Sequence, residues 1–502
     1  MPSHDDHVAQ LSSAVRVFFD NGQPFRIFHG STNSTRPTDH RRIVDISCLS
    51  NVLKVDPLSR TALVEPNVPM DKLVQATLPH GLVPPVVMEF PGITVGGGFA
   101  GSAGESSSFR YGYFDQTVRS IEVVLADGQI ITASSVENTD LFKGAAGSLG
   151  TLGVITKLEL QLIPARHFVK LVYRPYSTIH ETIKALKQET ENPENDYVDG
   201  IIFSRAHGVV MTGHLTNEIP NTAKPNHFSG PWDPWFYLHV KSKTMDNPST
   251  DYIPIFEYLF RYDRGGFWVG RQAFRYFNLI PFNRYTRWFV NDFMHTRMMY
   301  RILHASHMSS SFMIQDLSLP YDTVEEFIDD TSKSLGIWPL WLCPLRATDP
   351  PTFHPSHVAD GKPQPMLNIG LWGPASMSES FVQQNRQLER RLTELGGRKV
   401  LYSHTYYPEE DFWALYDRKW YDELRRKYSA TNLPTVWEKV KVDEPHVMQN
   451  QSWLQRLAFQ WPFAGIIGIR HAIQSQDYLI HRQPSWIYWQ ARGSTYALDY
   501  AK

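Results

Sequence analysis

Apolar residues occur in short runs along the first 165 residues, and turn-forming residues separate the runs. Runs of three or four apolar residues are typical of short buried strands. Near residue 160 the pattern changes to leucine alternating with polar residues, which indicates a strand with one buried and one solvated face. The pattern predicts strands at residues 25–28, 43–46, 52–55, 62–64 and 158–162, the last ended by Pro164.

Two helices and a hairpin are predicted between these strands. Residues 70–80 carry apolar side chains on one helical face, and Gly81 after them suits a helix C-terminus. A short helix should begin within residues 137–142. Asp127-Gly128 separates two β-type runs, and this dipeptide predicts a tight type I′ turn.

Composition narrows the possible functions. A chain of 502 residues is expected to form two or three domains. Its 49 Lys+Arg and 51 Asp+Glu leave a formal net charge of −2, so no basic field recruits nucleic acid. The two cysteines, Cys48 and Cys343, exclude a disulfide scaffold and indicate a reducing compartment. Aromatic residues gather after residue 230, which indicates a large apolar ligand, a membrane surface or an aromatic core.

Glycine and serine dominate residues 94–112, TVGGGFAGSAGESSSFRYG. Small residues let backbone N–H groups approach an anion closely, so this segment is a candidate phosphate-binding loop. Residues 29–36, HGSTNSTR, and residues 147–160, GSLGTLGVITKLEL, are further candidates. A glycine-rich turn without a ligand is the alternative interpretation.

The same segment matches the dinucleotide fingerprint GxGxxG through Gly96, Gly98 and Gly101, with Glu122 near the spacing of a ribose-binding acid. A Rossmann turn follows an apolar strand and opens a helix. This segment instead follows a Pro-Gly dipeptide and continues into more glycine and serine. We therefore do not expect a Rossmann turn at this segment.

Seven linked motifs resemble the FAD-binding domain of the vanillyl-alcohol oxidase / p-cresol methylhydroxylase flavoprotein superfamily. They occur in register over about residues 20–165 and read VEPNVPMDKL, GLVPPVV, TVGGGFAG, YGYFDQTV, EVVLADG, NTDLF and GSLGTLGVIT. The resemblance implies an α+β fold. A PCMH-type FAD-binding domain of two α/β subdomains would occupy residues 1–165, and a cap domain built on an antiparallel sheet would follow it.

The resemblance also implies which residues hold FAD. The glycine- and serine-rich segments would surround the pyrophosphate, and the GTLGVI segment would follow the ribityl chain and adenine. The implied residues are His29, Gly30, Ser31, Thr32, Asn33, Ser34, Thr94, Val95, Gly96, Gly97, Gly101, Ser102, Ser106, Ser107, Gly150, Thr151, Gly153, Val154 and Ile155.

Asn33 stands where several members of the superfamily carry a histidine that links the flavin covalently. An amide cannot attack the flavin methyl carbon, so the FAD is expected to be bound non-covalently. His29, four residues earlier, is the alternative site of a covalent link.

A narrower resemblance continues through most of the chain. The segments GESSSFRYG, YVDGIIFSRAHGVVMTG, PWFYLHV, IQDLSLP, IWPLWLCPL and LYSHTYYPEEDFWALYD resemble the Δ24-sterol reductases. This implies a cap domain at residues 166–445 and reduction of the side-chain double bond of a sterol or related isoprenoid, by hydride from flavin N5 and a proton from a cap acid. NADPH is the implied electron donor, although no second nucleotide motif is visible.

Candidate proton donors lie in residues 401–406, LYSHTY. Strand alternation would place Tyr402, His404 and Tyr406 on one face. A donor must stay protonated near neutral pH, and tyrosine, with an ordinary pKa of about 10, meets this better than histidine at about 6.5. The ranking is therefore Tyr402, His404, Tyr406, with ordinary hydrogen bonding in a cap sheet as the alternative.

Other polar residues are weaker candidates. Glu105 could act as the acid, but a structural role is favoured because it lies within the glycine-rich segment. Gln315 and Asp316 could orient a polar group, and a solvated loop is the preferred interpretation. Two i, i+3 histidine pairs lack a third ligand, so no metal site is expected. The pairs are His304 with His307 and His354 with His357.

Residues 446–502 form a C-terminal tail without a counterpart in the resembled reductases. Its apolar part, residues 457–469, is shorter than the about 20 residues needed to cross a bilayer, so it could lie at a membrane interface or pack on the protein. The resemblance implies the cytoplasmic side of the endoplasmic reticulum membrane, or the cytoplasm. Alternative functions are an FAD-dependent alcohol oxidase or dehydrogenase, a terpenoid-tailoring oxidoreductase, and a sterol-binding module without activity.

Overall fold

The computed structural model describes residues 3–30, 42–245, 249–277, 280–305, 312–375, 380–442 and 463–482. Within the first 165 residues, short strands alternate with short helices. These elements are α1 (His4–Asp20), β1 (Arg26–Phe28), β2 (Ile43–Asp45), β3 (Val52–Asp56), β4 (Thr61–Val64), α2 (Met70–Thr77), β5 (Leu82–Val83), α3 (Val95–Ala100), α4 (Ser108–Tyr111), β6 (Val118–Val124), β7 (Ile130–Ser134), α5 (Thr139–Ala145), β8 (Val154–Gln161) and β9 (Ile163–Pro164).

Five of these strands form an antiparallel sheet in the order β3-β4-β8-β6-β7, and β1 pairs with β2 in parallel. The predicted strands are present, with boundaries shifted by one or a few residues. Leu158 and Leu160 of β8 are fully buried, as their alternation with polar residues predicted. An antiparallel sheet lacks the parallel βαβ unit of a Rossmann fold, which agrees with the rejection of that fingerprint.

The predicted helix at residues 70–80 is confirmed as α2 followed by a 3₁₀ turn, and Gly81 ends it with a φ of 68°. The helix expected within residues 137–142 is α5. The hairpin between β6 and β7 is also present, but the type I′ prediction was wrong. Gly128 has positive φ and Asp127 does not, whereas a type I′ turn requires positive φ at both central residues.

The glycine-rich segment is partly helical, which corrects the expectation of an open loop. Residues Val95–Ala100 form α3, and Thr94 caps it by accepting a hydrogen bond from the Gly97 N–H at 3.2 Å. Glycine is required at the first turn because a Cβ on Gly96 would lie 2.7 Å from Cβ of Pro66. Close packing of the backbone therefore explains part of the glycine content.

A larger antiparallel sheet organises the following part of the chain. The elements are β10 (Phe168–Tyr176), α6 (Ile179–Thr190), β11 (Tyr197–Ser204), β12 (His207–Thr216), α7 (Phe236–Lys241), β13 (Ser249–Pro254), α8 (Ile255–Leu259), α9 (Val269–Phe277), α10 (Arg284–Phe289), α11 (Thr296–Ala305), β14 (Phe312–Pro320), α12 (Val324–Ser334), β15 (Leu340–Leu345), β16 (His357–Ala359), β17 (Lys362–Gln364), β18 (Met366–Pro374), α13 (Phe381–Glu394) and β19 (Arg398–Lys399). Eight strands pair in the order β13-β10-β12-β11-β15-β18-β14-β19. The α+β fold class is thereby confirmed.

The two faces of the eight-stranded sheet have different partners because side chains alternate along each strand. One face packs on α6, α12 and α13, and its strand residues include Met313, Leu317, Leu342 and Ile369. The intervening residues of β14, β15 and β18 point to the opposite face. Residues on that face line a cavity described below.

The remaining described helices follow β19 and lie partly against the first half of the chain. They are α14 (Glu409–Leu415), α15 (Arg418–Lys427), α16 (Val436–Val440), α17 (Phe463–Ser475) and α18 (Tyr478–Arg482). Tyr421 donates a hydrogen bond from its hydroxyl to Oγ1 of Thr151 at 2.7 Å, and Lys427 forms an ion pair with Asp140. The predicted division at residues 165 and 445 stays a prediction.

None of the helices in the described ranges combines the length and the apolar character needed to cross a membrane.

Candidate active site

A cavity of about 1240 Å³ is lined by both halves of the chain. Typical pockets for small ligands measure about 300–1,000 Å³, so this cavity has room for more than one molecule. One part of its wall consists of glycine-rich backbone from the first half. Another part consists of aromatic and aliphatic side chains from the eight-stranded sheet and α11.

Many residues predicted to bind FAD line this cavity together. They come from the loop after β1, from α3 and the residues after it, and from the loop before β8. Those on the wall are His29, Gly30, Thr94, Gly96, Gly97, Gly101, Ser102, Gly150, Gly153 and Ile155. Three segments that are distant in sequence therefore meet at one surface.

Five other predicted residues, all within the described ranges, are buried away from this wall. Ser107 donates its hydroxyl hydrogen to the Pro85 carbonyl at 2.8 Å, and Thr151 donates to the Ser148 carbonyl at 2.9 Å. The five residues are Val95, Ser106, Ser107, Thr151 and Val154. The predictions for Ser31, Thr32, Asn33 and Ser34 fall outside the described residues.

The glycine-lined part of the cavity fits a dinucleotide cofactor such as FAD. Its small side chains leave room for a pyrophosphate. Asn67 donates to the His29 carbonyl at 2.6 Å, while its Oδ1 is buried without a partner and can accept from a hydroxyl or amino group. Lys439 of α16 also lines this part and donates to the Leu149 carbonyl, which brings a cation beside Gly150.

Neither Asn67 nor Lys439 was predicted from the sequence. Asn67 lies within the motif VEPNVPMDKL, whose resemblance had already marked the region. Lys439 is nearly 290 residues from the loop that it contacts, and no local pattern distinguishes it from other lysines.

The apolar part of the cavity is built from aromatic rings. The ring of Phe267 packs against two indole rings. Its centroid lies 5.4 Å from the ring centroid of Trp341 and 4.5 Å from that of Trp372. Gly370 permits this arrangement because a Cβ there would lie 2.4 Å from the Trp372 indole. Such a wall suits a large apolar molecule and excludes water.

Asp316 of β14 lies on the same cavity wall. Its Oδ1 accepts a hydrogen bond from Nδ2 of Asn368 at 2.8 Å, and Tyr402 lies beside the carboxylate. Burial raises the pKa of Asp316 to about 6, against the lowering effect of Asn368 and Tyr402. Burial and the Asp316 charge raise the pKa of Tyr402 well above its usual range, so its hydroxyl remains protonated.

Tyr402 lies at the junction of the two parts of the cavity. A Cβ on Gly101, in the glycine-rich segment, would be 4.0 Å from Cβ of Tyr402. Tyr402, Asp316 and Asn368 all line the cavity. A proton donor in this position faces both the proposed cofactor site and the apolar space.

Glu89 is a second acidic side chain on the cavity wall. Burial raises the pKa of Glu89 well above its usual range, and the nearby carboxyl of Glu105 raises it further. Glu105 is fully buried beside Arg261 and accepts a hydrogen bond from the Ser106 N–H. We assign the negative charge of this pair to Glu105 because it has those two partners, and the proton to Glu89.

Residues 401–406 do not form a strand, so the predicted alternation of three side chains on one face was wrong. Tyr402 and His404 line the cavity, whereas Tyr406 is buried with its ring 6.0 Å from that of Phe381. The segment is a loop that side chains hold in place. Its alternating letters resemble a strand, but no neighbouring strand pairs with it beyond a bridge at Thr405.

A buried ion pair determines the shape of this loop. Nζ of Lys399 lies 2.8 Å from Oε1 of Glu389, and both side chains are 1% exposed. Lys399 also donates to the His404 carbonyl, and Glu389 accepts from the Tyr406 N–H at 2.9 Å. The two charged groups therefore hold the loop at His404 and at Tyr406.

Gln315 and Asp316 are not in a solvated loop, as the sequence had suggested. Both lie in β14, and Gln315 accepts a hydrogen bond from the Ser403 hydroxyl at 3.0 Å. Gln315 therefore positions the loop from one face of the sheet while Asp316 contacts Tyr402 on the other. Polar residues alternating within otherwise apolar strands could have revealed Asp316 in FMIQDLSLP and Asn368 in MLNIGLWGP.

Among the residues that the structure describes, no group of three or more histidine, cysteine or acidic side chains is placed to hold a metal ion. His354 is hydrogen-bonded through Nε2 to Asp115 at 2.8 Å and through Nδ1 to Thr352 at 2.6 Å. His307 lies outside the described residues.

Comparison with known proteins agrees with this geometry. Residues 6–134 match the family described as FAD binding domain. The first part of the chain is therefore similar to FAD-binding domains, within an α+β fold.

Three relatives make the similarity more specific. The Delta(24)-sterol reductases of Macaca fascicularis and Homo sapiens are each 29% identical over 401 residues, which cover 78% of this chain and 76% of those proteins. The Delta(24)-sterol reductase of Pisum sativum is 28% identical over 447 residues, 81% of this chain and 78% of that protein. The resemblance seen in the sequence motifs is confirmed.

Proposed function

We propose that this protein is an FAD-dependent reductase of the Δ24 double bond in the side chain of a sterol or related isoprenoid. The main observation that supports this proposal is that Tyr402 and Asp316 line one cavity together with the glycine-rich segments and the aromatic wall. The similarity to Delta(24)-sterol reductases supports this choice of substrate class.

The proposed reaction adds one proton and one hydride across a carbon–carbon double bond. FAD, when reduced by NADPH, supplies the hydride, and NADPH leaves as NADP⁺. His29, Asn67 and Lys439 would hold the cofactor beside the glycine-rich backbone. The protein must then supply the proton and tolerate the positive charge that protonation of an isolated alkene creates.

Tyr402 is the proposed proton donor. Its hydroxyl remains protonated at neutral pH, and the neighbouring Asp316 carboxyl provides a route by which the proton is replaced. Positioned general acids contribute about 10²–10⁴-fold to a rate. His404 stays second in the ranking because it also lines the cavity, and Tyr406 has no cavity position from which to act.

Aromatic faces are proposed to stabilise the developing cation at the branched end of the side chain. The rings of Trp341, Trp372 and Phe267 lie together on the apolar wall. A cation over an aromatic ring gains about 0.5–2 kcal/mol. The same rings exclude water that would otherwise capture the cation.

The test is anaerobic reduction followed by reoxidation. NADPH should bleach the purified yellow protein, and addition of a sterol with a Δ24 double bond should restore the flavin absorbance with one saturated product per flavin. The corresponding saturated sterol is the matched control and should not restore the colour. Rapid oxygen-dependent oxidation of an alcohol would instead support the oxidase alternative, and a colourless protein would support a binding module.

The FAD is proposed to be non-covalent. Acid precipitation of the purified protein should release free flavin into the supernatant, measured by its absorbance. A yellow pellet with a colourless supernatant would contradict this and would implicate His29, which lines the cavity. A His29→Ala variant would then release the flavin.

By the same resemblance, we propose a location on the cytoplasmic side of the endoplasmic reticulum membrane or in the cytoplasm. Cell fractionation with markers for both compartments tests this.

A further inference from the structure

Several large apolar side chains are exposed around the helices that wall the cavity. We define the apolar rim as Tyr285, Trp288 and Phe289 of α10, Ile466 and Ile473 of α17, and Leu479 of α18. Phe289 is 81% exposed and Tyr285 is 74% exposed. Isolated apolar residues on a surface are ordinary, but a contiguous group marks an interaction site.

The elements that carry the rim are linked through shared neighbours. Both α10 and α18 pack against the 3₁₀ turn Asn291–Met294, and α17 packs along α11. The contact between α17 and α11 is close, because a Cβ on Gly468 would lie 2.9 Å from the Ile302 carbonyl oxygen. The rim residues therefore occupy neighbouring elements of one region.

This region is also a wall of the cavity. Met294 of the 3₁₀ turn, Ile302 of α11 and His471 of α17 all line the cavity. Helix α17 therefore carries part of the rim on its exposed face and also bounds the space proposed for an apolar substrate.

The charges around the rim are positive. Helices α9, α10 and α17 contain no acidic residue, and Arg275, Arg284 and Arg470 are exposed on them. Asp477, beside α18, is engaged by Nε of Arg301 at 2.8 Å. Asp292 lies in the 3₁₀ turn and is the acidic residue nearest to α10 in the sequence.

The outward face of α17 shows the same combination on a single helix. Ile466, Arg470 and Ile473 have the spacing i, i+4, i+7 and are all exposed. On α10, Arg284 lies 5.6 Å from the ring of Trp232, and Trp232 stacks on Trp288 at 4.8 Å. Aromatic and aliphatic side chains flanked by arginine are typical of helices that lie in a membrane interface.

We propose that the apolar rim docks on the surface of an anionic phospholipid bilayer. The apolar side chains would enter the headgroup region, and the arginines would contact lipid phosphates and carboxylates. Only the reason for such docking rests on the proposed function, because an apolar substrate would be dissolved in the bilayer. Lipid binding itself is measured without substrate, so the two proposals can fail separately.

The test uses flotation of the purified full chain with vesicles of phosphatidylcholine alone or mixed with phosphatidylserine. The wild type should float with the mixed vesicles, and added salt should reduce the bound fraction. A Trp288→Ser/Phe289→Ser variant should bind at least about tenfold more weakly because two apolar anchors are removed. An Ile466→Ser/Ile473→Ser variant should show the same effect through a different helix.

Arg284→Gln and Arg470→Gln should each weaken binding to the mixed vesicles roughly fivefold, since a juxtamembrane arginine contributes about 1 kcal/mol. Neither should alter binding to phosphatidylcholine alone. The matched control is Leu58→Ser/Val136→Ser, which removes apolar residues that are 97% and 89% exposed in the first half of the chain. It should bind like the wild type.

Four results would overturn the proposal. The wild type could fail to float with mixed vesicles, or both rim variants could bind as well as it does. A change in oligomeric state without a change in lipid binding would assign the rim to a second copy of the chain. If deletion of residues 483–502 abolishes binding while the rim variants retain it, the terminal segment is the anchor instead. Flavin content and melting temperature equal to those of the wild type establish that each variant is folded.

Discussion

A Tyr402→Phe variant is expected to lose roughly 10²-fold or more in alkene reduction while it keeps bound flavin and NADPH-dependent bleaching. The substitution removes the hydroxyl that we propose as the proton donor and leaves the ring that fills the cavity wall. Asp316 keeps its hydrogen bond from Asn368, so the neighbouring carboxyl is not left without a partner. Single-turnover reoxidation of the reduced enzyme by the alkene is the measurement, because it isolates the chemical step.

Tyr406→Phe is the matched control. Tyr406 belongs to the same loop and has the same chemistry, but its ring packs against Phe381 and does not line the cavity. Its rate should stay within about twofold of the wild type, given the small effect of removing a hydroxyl away from the site. Full turnover by Tyr402→Phe would remove Tyr402 from the mechanism, and His404→Gln, at the second-ranked donor, would then be the decisive variant.

Replacement of Lys399 by methionine should lower the free energy of unfolding by about 3–5 kcal/mol. The change leaves the Glu389 carboxylate buried without the cation that opposes the effect of burial on its pKa. It also removes the hydrogen bond to the His404 carbonyl. Urea denaturation followed by tryptophan fluorescence measures the loss.

Lys54→Met is the matched control, since Lys54 pairs with Asp56 at 3.1 Å but is 67% exposed. Exposed pairs contribute about 0–1 kcal/mol, so this variant should unfold almost like the wild type. A Lys399→Met/Glu389→Leu double variant should recover much of the stability because no buried charge remains. If Lys399→Met and Lys54→Met unfold alike, the buried pair does not stabilise the loop.

The positions of the three candidate donors show where local pattern was insufficient. The letters LYSHTY alternate as a strand would, yet the segment is a loop held by Glu389 and Lys399. Those residues belong to α13 and β19, outside the six-residue segment, so the pattern of the segment cannot contain their effect. Only the folded structure therefore separates Tyr402 and His404 from Tyr406.

The sequence analysis did not identify Glu89 as a site residue and assigned Asp316 to a solvated loop, for a related reason. No sequence motif around Glu89 distinguishes it from other glutamates. Pairing of β14 with β18 brings Asp316 beside Asn368, which is 52 residues away in the sequence. Both residues line the cavity whose other wall is the glycine-rich segment of the first half of the chain. The pKa shifts of both carboxyls follow from burial in this assembled cavity and are not visible in sequence.

Residue patterns in the sequence correctly predicted the short strands, helix α2, the alternation of β8 and the similarity to FAD-binding domains. These features depend on side-chain periodicity, capping and turn residues within a few positions of one another, so they are readable locally. The tertiary structure alone decided that α3 is a helix, that Asn67 and Lys439 face the glycine-rich segments, and that Tyr402 meets Asp316. Those outcomes depend on sheet register and buried charge pairs between distant segments, whose free energy exists only once the chain has folded.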